Sequence, residues 1–320
     1  MKYRKLGLTE LDISEIGVGL WPLSNILIDS NPNNNPVYVL NQALDLGINY
    51  FDTSSTYQNG QGEELIAKIL GGARSHSIVG TKFIPAGYDS DRASYTHNFN
   101  QHSYISSIKY ECEQSLRRLN SDYIDLYQIQ NPAFQMIEDD ELFEALELLV
   151  YEGKIRYYGA SLEPGTSLLE EGQACITCRK ISSVQLVHNI LQQNPLVDFD
   201  SKHVTGFIAS DINFSGMLTN KESNYTLEIA SDPYQIKQKI INDLNSLIAG
   251  TDCSLSQLAT LFILANTSIT TTLLDISSNL NLNEAAHVSN SQLLTEDMMK
   301  DICRVMDDHN QAGDQIFETI

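Results

Sequence analysis

The alternation of short apolar runs with longer amphipathic segments constrains the fold of this chain more than any other feature. Eight runs have the length of buried strands: EIGVGL, NYFDT, SIVGTK, YIDLYQIQ, YYGAS, SVQLVHN, TGFIAS and TTTLLD. The segments between them carry apolar residues three and four positions apart, the spacing of one buried helix face. Ile105, Ile108, Cys112 and Leu116 are one such set. Eight strands alternating with helices favour an α/β fold, a closed (β/α)8 TIM barrel, over an open doubly wound sheet.

The length of the chain suits one such barrel. Barrels of this kind commonly reach about 250 residues and more, so we expect the 320 residues to form a single domain over 1–320. The Asn-rich segment 28–38 predicts a surface loop, because Asn and Pro favour turns. The segment 84–101 is long enough to cover the barrel mouth as a lid, and a solvated insertion explains it equally well.

The charge balance excludes two classes of partner. Against 20 Lys and Arg stand 41 Asp and Glu, a formal charge of −21 that repels nucleic acids and anionic membrane surfaces. No apolar run approaches the roughly 18 residues of a membrane span. The amino terminus, MKYRKLGLTELDIS, lacks the apolar core of an export signal. We therefore expect a cytoplasmic protein that acts on a small-molecule substrate.

The cysteines do not predict a metal site. The chain has five cysteines, an odd number that does not suggest a disulfide framework. Cys175 and Cys178 form the one close pair, and no second pair or nearby histidines complete a zinc site. We interpret this pair as helix packing and expect no bound metal.

Polar residues end the second and third strands of the predicted barrel, where the active site of a TIM barrel forms. Asp52 ends the second strand and Lys82 the third, and Tyr57 follows five residues after Asp52. A free phenol titrates near pH ~10, and a neighbouring ammonium lowers that value. Each residue alone fits a cap, a solvated strand end or a packed ring. Together they predict a tyrosine that donates a proton near neutral pH.

The sequence resembles the aldo-keto reductases through most of the chain, and the match is specific from Met1 to Ser161. LDLGINYFDTSSTYQNGQGEELIAKIL, GTK, SLRRLNSDYIDLYQIQNP and GKIRYYGAS are similar to that family's second to fifth strands and their flanking segments. The resemblance implies that Asp52, Tyr57 and Lys82 are catalytic. We also expect a short N-terminal β-hairpin before the barrel and an extra C-terminal helix after it.

Gln130 stands where the family has its fourth catalytic residue, a histidine. Glutamine does not titrate, but its amide donates hydrogen bonds. Loss of one oxyanion donor costs about 2.7 to 4 kcal/mol of barrier, so a retained donor predicts a slower or altered enzyme. His188 lies three positions after Gln185, so strand alternation points it to the opposite face, and His203 precedes the seventh strand. Neither replaces the missing imidazole.

The resemblance implies NADP(H) as cofactor, and it places the cofactor-binding positions on Ser161, Gln185 and Ser210. Three departures from the family pattern predict weaker binding. Leu162 replaces the asparagine of a Ser-Asn pair, Ser210 replaces a stacking aromatic, and Asp275 replaces a turn glycine. No Gly-x-Gly-x-x-Gly follows the first strand, so a Rossmann-type site is not predicted.

Three hypotheses about function remain open at this point. The first is NAD(P)H-dependent reduction of a carbonyl or enone, with Tyr57 as the proton donor. In the second, a redox-neutral epimerase or lyase uses the same trio for proton transfer. In the third, the barrel is a non-catalytic subunit that binds a protein partner, and the buried ion pair only stabilises it.

Overall fold

The computed structural model describes residues 1–21, 35–85, 88–89, 94–95, 104–162, 168–179, 181–193, 204–214, 216–218, 232–275, 279–290 and 294–311. The strands are β1 Tyr3–Lys5, β2 Asp12–Ser14, β3 Ile16–Gly19, β4 Tyr50–Asp52, β5 Ile78–Phe83, β6 Tyr88–Asp89, β7 Ser94–Tyr95, β8 Ile124–Gln130, β9 Ile155–Leu162, β10 Ser183–Val187, β11 Gly206–Ser210 and β12 Ile269–Asp275. The α-helices are α1 Pro36–Asp45, α2 Gln61–Leu70, α3 Tyr104–Leu119, α4 Phe134–Ile137, α5 Asp140–Tyr151, α6 Leu168–Arg179, α7 Asp232–Leu247, α8 Leu255–Ala265, α9 Asn279–Asn290 and α10 Glu296–Gln311.

Eight parallel strands close into a barrel in the order β3, β4, β5, β8, β9, β10, β11 and β12, and β12 pairs with β3. These are the eight strands that the apolar runs predict, so the predicted (β/α)8 barrel is confirmed. The register places Asp52 opposite Gly80, Lys82 opposite Gln128 and Gln130 opposite Ser161. The polar strand ends therefore meet at the carboxyl-terminal rim.

The amino-terminal part of the barrel interior is filled by apolar side chains. Leu6, Leu11, Ile13, Tyr50, Ile78, Leu126, Ile208 and Leu273 form one buried cluster. Leu6, Leu11 and Ile13 come from the antiparallel pair β1 and β2 and its turn, so this hairpin closes the bottom of the barrel. The predicted N-terminal hairpin is confirmed, and α10 is the predicted C-terminal helix.

A second, larger core lies between the barrel and its helices. In α1, Val39, Leu40 and Ala43 are fully buried against it. The helix starts here because the Asn35 side chain accepts from the Val37 amide at 3.0 Å, a typical N-cap contact. In α3, Ile108 and Cys112 are buried as predicted, but Ile105 is 39% exposed. The buried face of α3 therefore begins one turn later than the pattern predicts.

Membrane insertion finds no support in these helices. Across the described ranges, no helix combines the length and the apolar character that a membrane span requires.

Candidate active site

A buried ion pair lies at the carboxyl ends of β4 and β5. Lys82 Nζ donates to Asp52 Oδ1 and, at 3.0 Å, to the carbonyl oxygen of Thr53. Lys82 is 1% and Asp52 2% exposed. Gly80 leaves room for the pair, since a Cβ there would lie 3.1 Å from Asp52 Oδ2. Burial raises the pKa of Asp52, and the Lys82 ammonium opposes this rise and favours the carboxylate.

Tyr57 lies beside this pair at the start of a short 3-10 helix, Tyr57–Gly60. Lys82 Nζ is 5.6 Å from the centre of the Tyr57 ring. Burial lowers the pKa of Lys82, but the Asp52 carboxylate and the Tyr57 side chain more than compensate, so this pKa is raised. Trp21 packs edge-on against Tyr57, with ring centres 4.9 Å apart. The structure thus brings the three residues of the predicted trio together.

Asp52 has further donors below Lys82, inside the barrel. Gln128 Nε2 donates to Asp52 Oδ2 at 3.3 Å and to Gln185 Oε1 at 3.0 Å. Gln185 Nε2 donates to Asp52 Oδ1 at 3.4 Å, and the Tyr50 hydroxyl donates to Oδ2 at 3.3 Å. Burial is the main cause that raises the pKa of Tyr50, and the Asp52 carboxylate is the second. The Tyr50 hydroxyl therefore stays protonated and remains a donor. Two amides and one phenol therefore hold the carboxylate in place.

Sequence reasoning missed Gln128 and Tyr50 as members of this network. Each stands two residues before a recognised strand-end residue, Gln130 and Asp52 respectively. Side chains two apart on a strand share one face, so alternation alone could have found them. Gln128 is fully buried, and among the described residues its Oε1 atom has no hydrogen-bond partner.

Gln130 ends β8 and is partly exposed at the rim. Its Oε1 accepts a hydrogen bond from the Ser54 hydroxyl at 3.0 Å. Ser54 Oγ lies 2.8 Å from Thr56 Oγ1 and accepts from the Thr56 amide at 3.2 Å. Ser54 is a third residue that sequence reasoning missed, because 76 positions separate it from Gln130.

The predicted cofactor positions lie on three neighbouring strands. Ser161 pairs in register with Gln185, and Ser210 pairs with Val187. Ser161 is 9% exposed and Ser210 is partly exposed. Leu162 is buried in the outer core, so it points away from the barrel interior. Asp275 ends β12, while its side chain and residues 276–278 lie outside the described part of the structure.

Other predictions fall partly outside the described residues. Most of 84–101, residues 28–34 and His203 are among them. His188 is buried and stacks on Phe262 of α8 at 6.2 Å, so it faces the outer core as predicted. Cys175 is buried and Cys178 exposed. Among the residues with described positions, no group of three or more His, Cys, Asp or Glu could hold a metal ion.

Comparison with known proteins places this arrangement in a family. The model of the aldo/keto reductase family matches residues 15–307. The uncharacterized oxidoreductase YqkF of Bacillus subtilis is 29% identical over 309 residues, 94% of this chain and 95% of that protein. The methylglyoxal reductase YeaE of Escherichia coli is 29% identical over 152 residues, 48% of this chain and 46% of that protein.

The fold comparison agrees over the full barrel. The holo form of aldo-keto reductase AKR11C1 from Bacillus halodurans superposes with a TM-score of 0.77 at 27% identity, covering 95% of this chain and 96% of that one. The chain belongs to the aldo/keto reductase family, and it is an oxidoreductase of that family. This result favours the first of the three hypotheses over the redox-neutral and non-catalytic ones.

Proposed function

We propose that this protein reduces a carbonyl or an enone of a small metabolite with NADPH or NADH, and that Tyr57 donates the proton. The contact of Lys82 with both Asp52 and Tyr57 carries the proposal. A charged ammonium beside a phenol favours the phenolate and so makes the hydroxyl a better acid. Asp52 keeps that ammonium charged although both groups are buried.

The described residues at the nicotinamide end of the site fit an amide-bearing ring. The hydroxyl groups of Ser161 and Ser210 lie near the ends of β9 and β11, and Gln185 lies on the intervening strand β10. Hydroxyl and amide groups can both donate to and accept from a carboxamide. Bound there, the nicotinamide would supply a hydride. The chain's own residues would orient the ring and hold the substrate oxygen near Tyr57.

Gln130 takes the position of the family's histidine in this proposal. Its amide lies at the rim, beside the loop that carries Tyr57, and it is a neutral donor to the substrate oxygen. A neutral donor stabilises developing negative charge less than a charged one. We therefore propose a reductase whose oxygen-binding group does not titrate.

The direct test is substrate reduction by wild type and by Tyr57→Phe, followed as loss of nicotinamide absorbance. Methylglyoxal and an aromatic enone serve as probes. We expect Tyr57→Phe to lose at least about 100-fold in kcat, because a positioned acid contributes about that much or more. Tyr110→Phe is the matched control, since Tyr110 is 59% exposed on α3. Equal rates in Tyr57→Phe and wild type would refute the assignment.

A further inference from the structure

We propose that Ser54 is a positioning residue that holds the Gln130 amide with its Nε2 group toward the barrel mouth. The inference rests on the reductase function proposed above, because it concerns the donor that meets the substrate oxygen. Ser54 lies two positions beyond Asp52, and in this proposal its side chain does not itself touch the substrate. The observations that carry it are hydrogen bonds around one buried hydroxyl.

Ser54 lies just after β4, fully buried, and its hydroxyl reaches across to the end of β8. The two strands are separated by β5 in the barrel, so the bond spans the rim and not a strand pair. Ser54 Oγ and Gln130 Oε1 are 3.0 Å apart, a normal distance for a hydroxyl donor. The contact therefore fixes one end of the Gln130 side chain.

The donor count around Ser54 agrees with this direction. A serine hydroxyl has one proton and two lone pairs. The Ser54 proton is donated to Gln130 Oε1, since only the oxygen of the amide can accept it. The Thr56 backbone N–H then donates to one lone pair at 3.2 Å, and the Thr56 hydroxyl, 2.8 Å away, can donate to the other. Nε2 is thereby turned away from Ser54.

This orientation matters because an amide can rotate between two nearly equivalent positions. With Oε1 toward the mouth, the amide would present an acceptor that repels the substrate oxygen. With Nε2 toward the mouth, it donates a hydrogen bond to that oxygen. Ser54 selects the second state before the substrate arrives. Such preorganisation raises the rate because no donor has to reorient during the reaction.

A purely structural role for Ser54 makes a different prediction. Its bond with the Thr56 amide is a local turn contact, and losing that contact would disturb the Tyr57 loop whatever residue stands at 130. A positioning role acts through Gln130 alone. The two roles separate when Ser54 is changed in the presence and in the absence of the Gln130 side chain.

The first arm of the experiment is a double-mutant cycle on methylglyoxal reduction. We expect Ser54→Ala to lower kcat about threefold to tenfold with little change in cofactor KM, the factor that one neutral hydrogen bond contributes. In a Gln130→Ala background the same change should have no further effect. A loss of equal size in both backgrounds would overturn the proposal.

The second arm needs neither substrate nor cofactor. The side-chain amides of ¹⁵N-glutamine-labelled protein are recorded by NMR, and the Gln130 signal is assigned by its loss in Gln130→Ala. We expect Ser54→Ala to move this signal toward the position of a solvated glutamine while the Gln128 and Gln185 signals stay in place. An unmoved Gln130 signal would refute the inference. If wild type reduces nothing, the proposed function fails, and this arm still tests Ser54.

Discussion

His188 shows at the scale of a single residue how burial sets a charge state in this protein. It is 4% exposed and stacks on Phe262, and its Nδ1 atom has no hydrogen-bond partner within the described part of the chain. Burial lowers the pKa of His188 to about 4. The imidazole is therefore neutral in the folded state at pH values where an unfolded histidine, with a pKa near 6.5, takes up a proton.

Folding stability should consequently fall on acidification. The unfolded state binds more protons below pH ~6.5, so this contribution is fully present above that pH and declines toward pH ~4, by up to roughly 3 kcal/mol. We expect His188→Phe to flatten the dependence of the free energy of unfolding on pH in this window. Urea titrations of both proteins between pH 4 and 8 would show it. An identical slope in the variant would contradict the prediction.

Residues that end or directly follow an apolar run were the easiest to predict. Asp52, Tyr57 and Lys82 each end or follow an apolar run, and the barrel brings them together as the pattern predicts. Alternation places Gln128 on the same strand face as Gln130, but Ser54 could not be assigned in this way. Its partner lies on another strand, and only the register of the closed barrel decides which polar side chains meet.

Gly159 determines, at the scale of elements, how closely β9 and β10 pack. A Cβ at this position would lie 2.1 Å from Ser183 Oγ and 2.7 Å from the Ser183 carbonyl oxygen. The backbone oxygen cannot swing away, so the strand itself would have to shift. A glycine inside a strand often marks such a close approach, and the YYGAS run carries this signal in the sequence.

We expect Gly159→Ala to destabilise the protein by about 1 to 3 kcal/mol, the usual cost of overpacking a core. Gly72→Ala is the control, because a Cβ there meets nothing within 4 Å. The measurement is the midpoint of urea unfolding for both variants and wild type. A midpoint for Gly159→Ala equal to that of Gly72→Ala would show that the strands can separate at no cost.

Element type was predictable throughout the barrel, whereas element ends were less so. Short apolar runs and period-3.6 patterns predict strands and helices directly, and each of the eight barrel strands coincides with one of the predicted runs. Helix α3 differs, since Ile105 belongs to the apolar pattern yet stays exposed. The pattern gives the direction of a helix face, but the neighbouring elements decide where along the helix that face is covered.

The whole molecule carries a charge of −21, and its proposed cofactor is also an anion. Long-range repulsion between them should slow association at low ionic strength, and salt screens it beyond a distance of about 8 to 10 Å near physiological ionic strength. Closure of the barrel and the buried trio were predictable from the chain.

The most direct test is a titration of the purified protein with NADPH and, separately, NADH at physiological salt. Trp21 is the single tryptophan of the chain and lies 4.9 Å from the Tyr57 ring, so a bound cofactor should quench its fluorescence, and calorimetry gives the stoichiometry. We predict one saturable site for at least one of the two, with a Kd of about 10 μM or tighter, roughly 7 kcal/mol. The absence of both quenching and heat at millimolar cofactor would contradict hydride transfer by this protein.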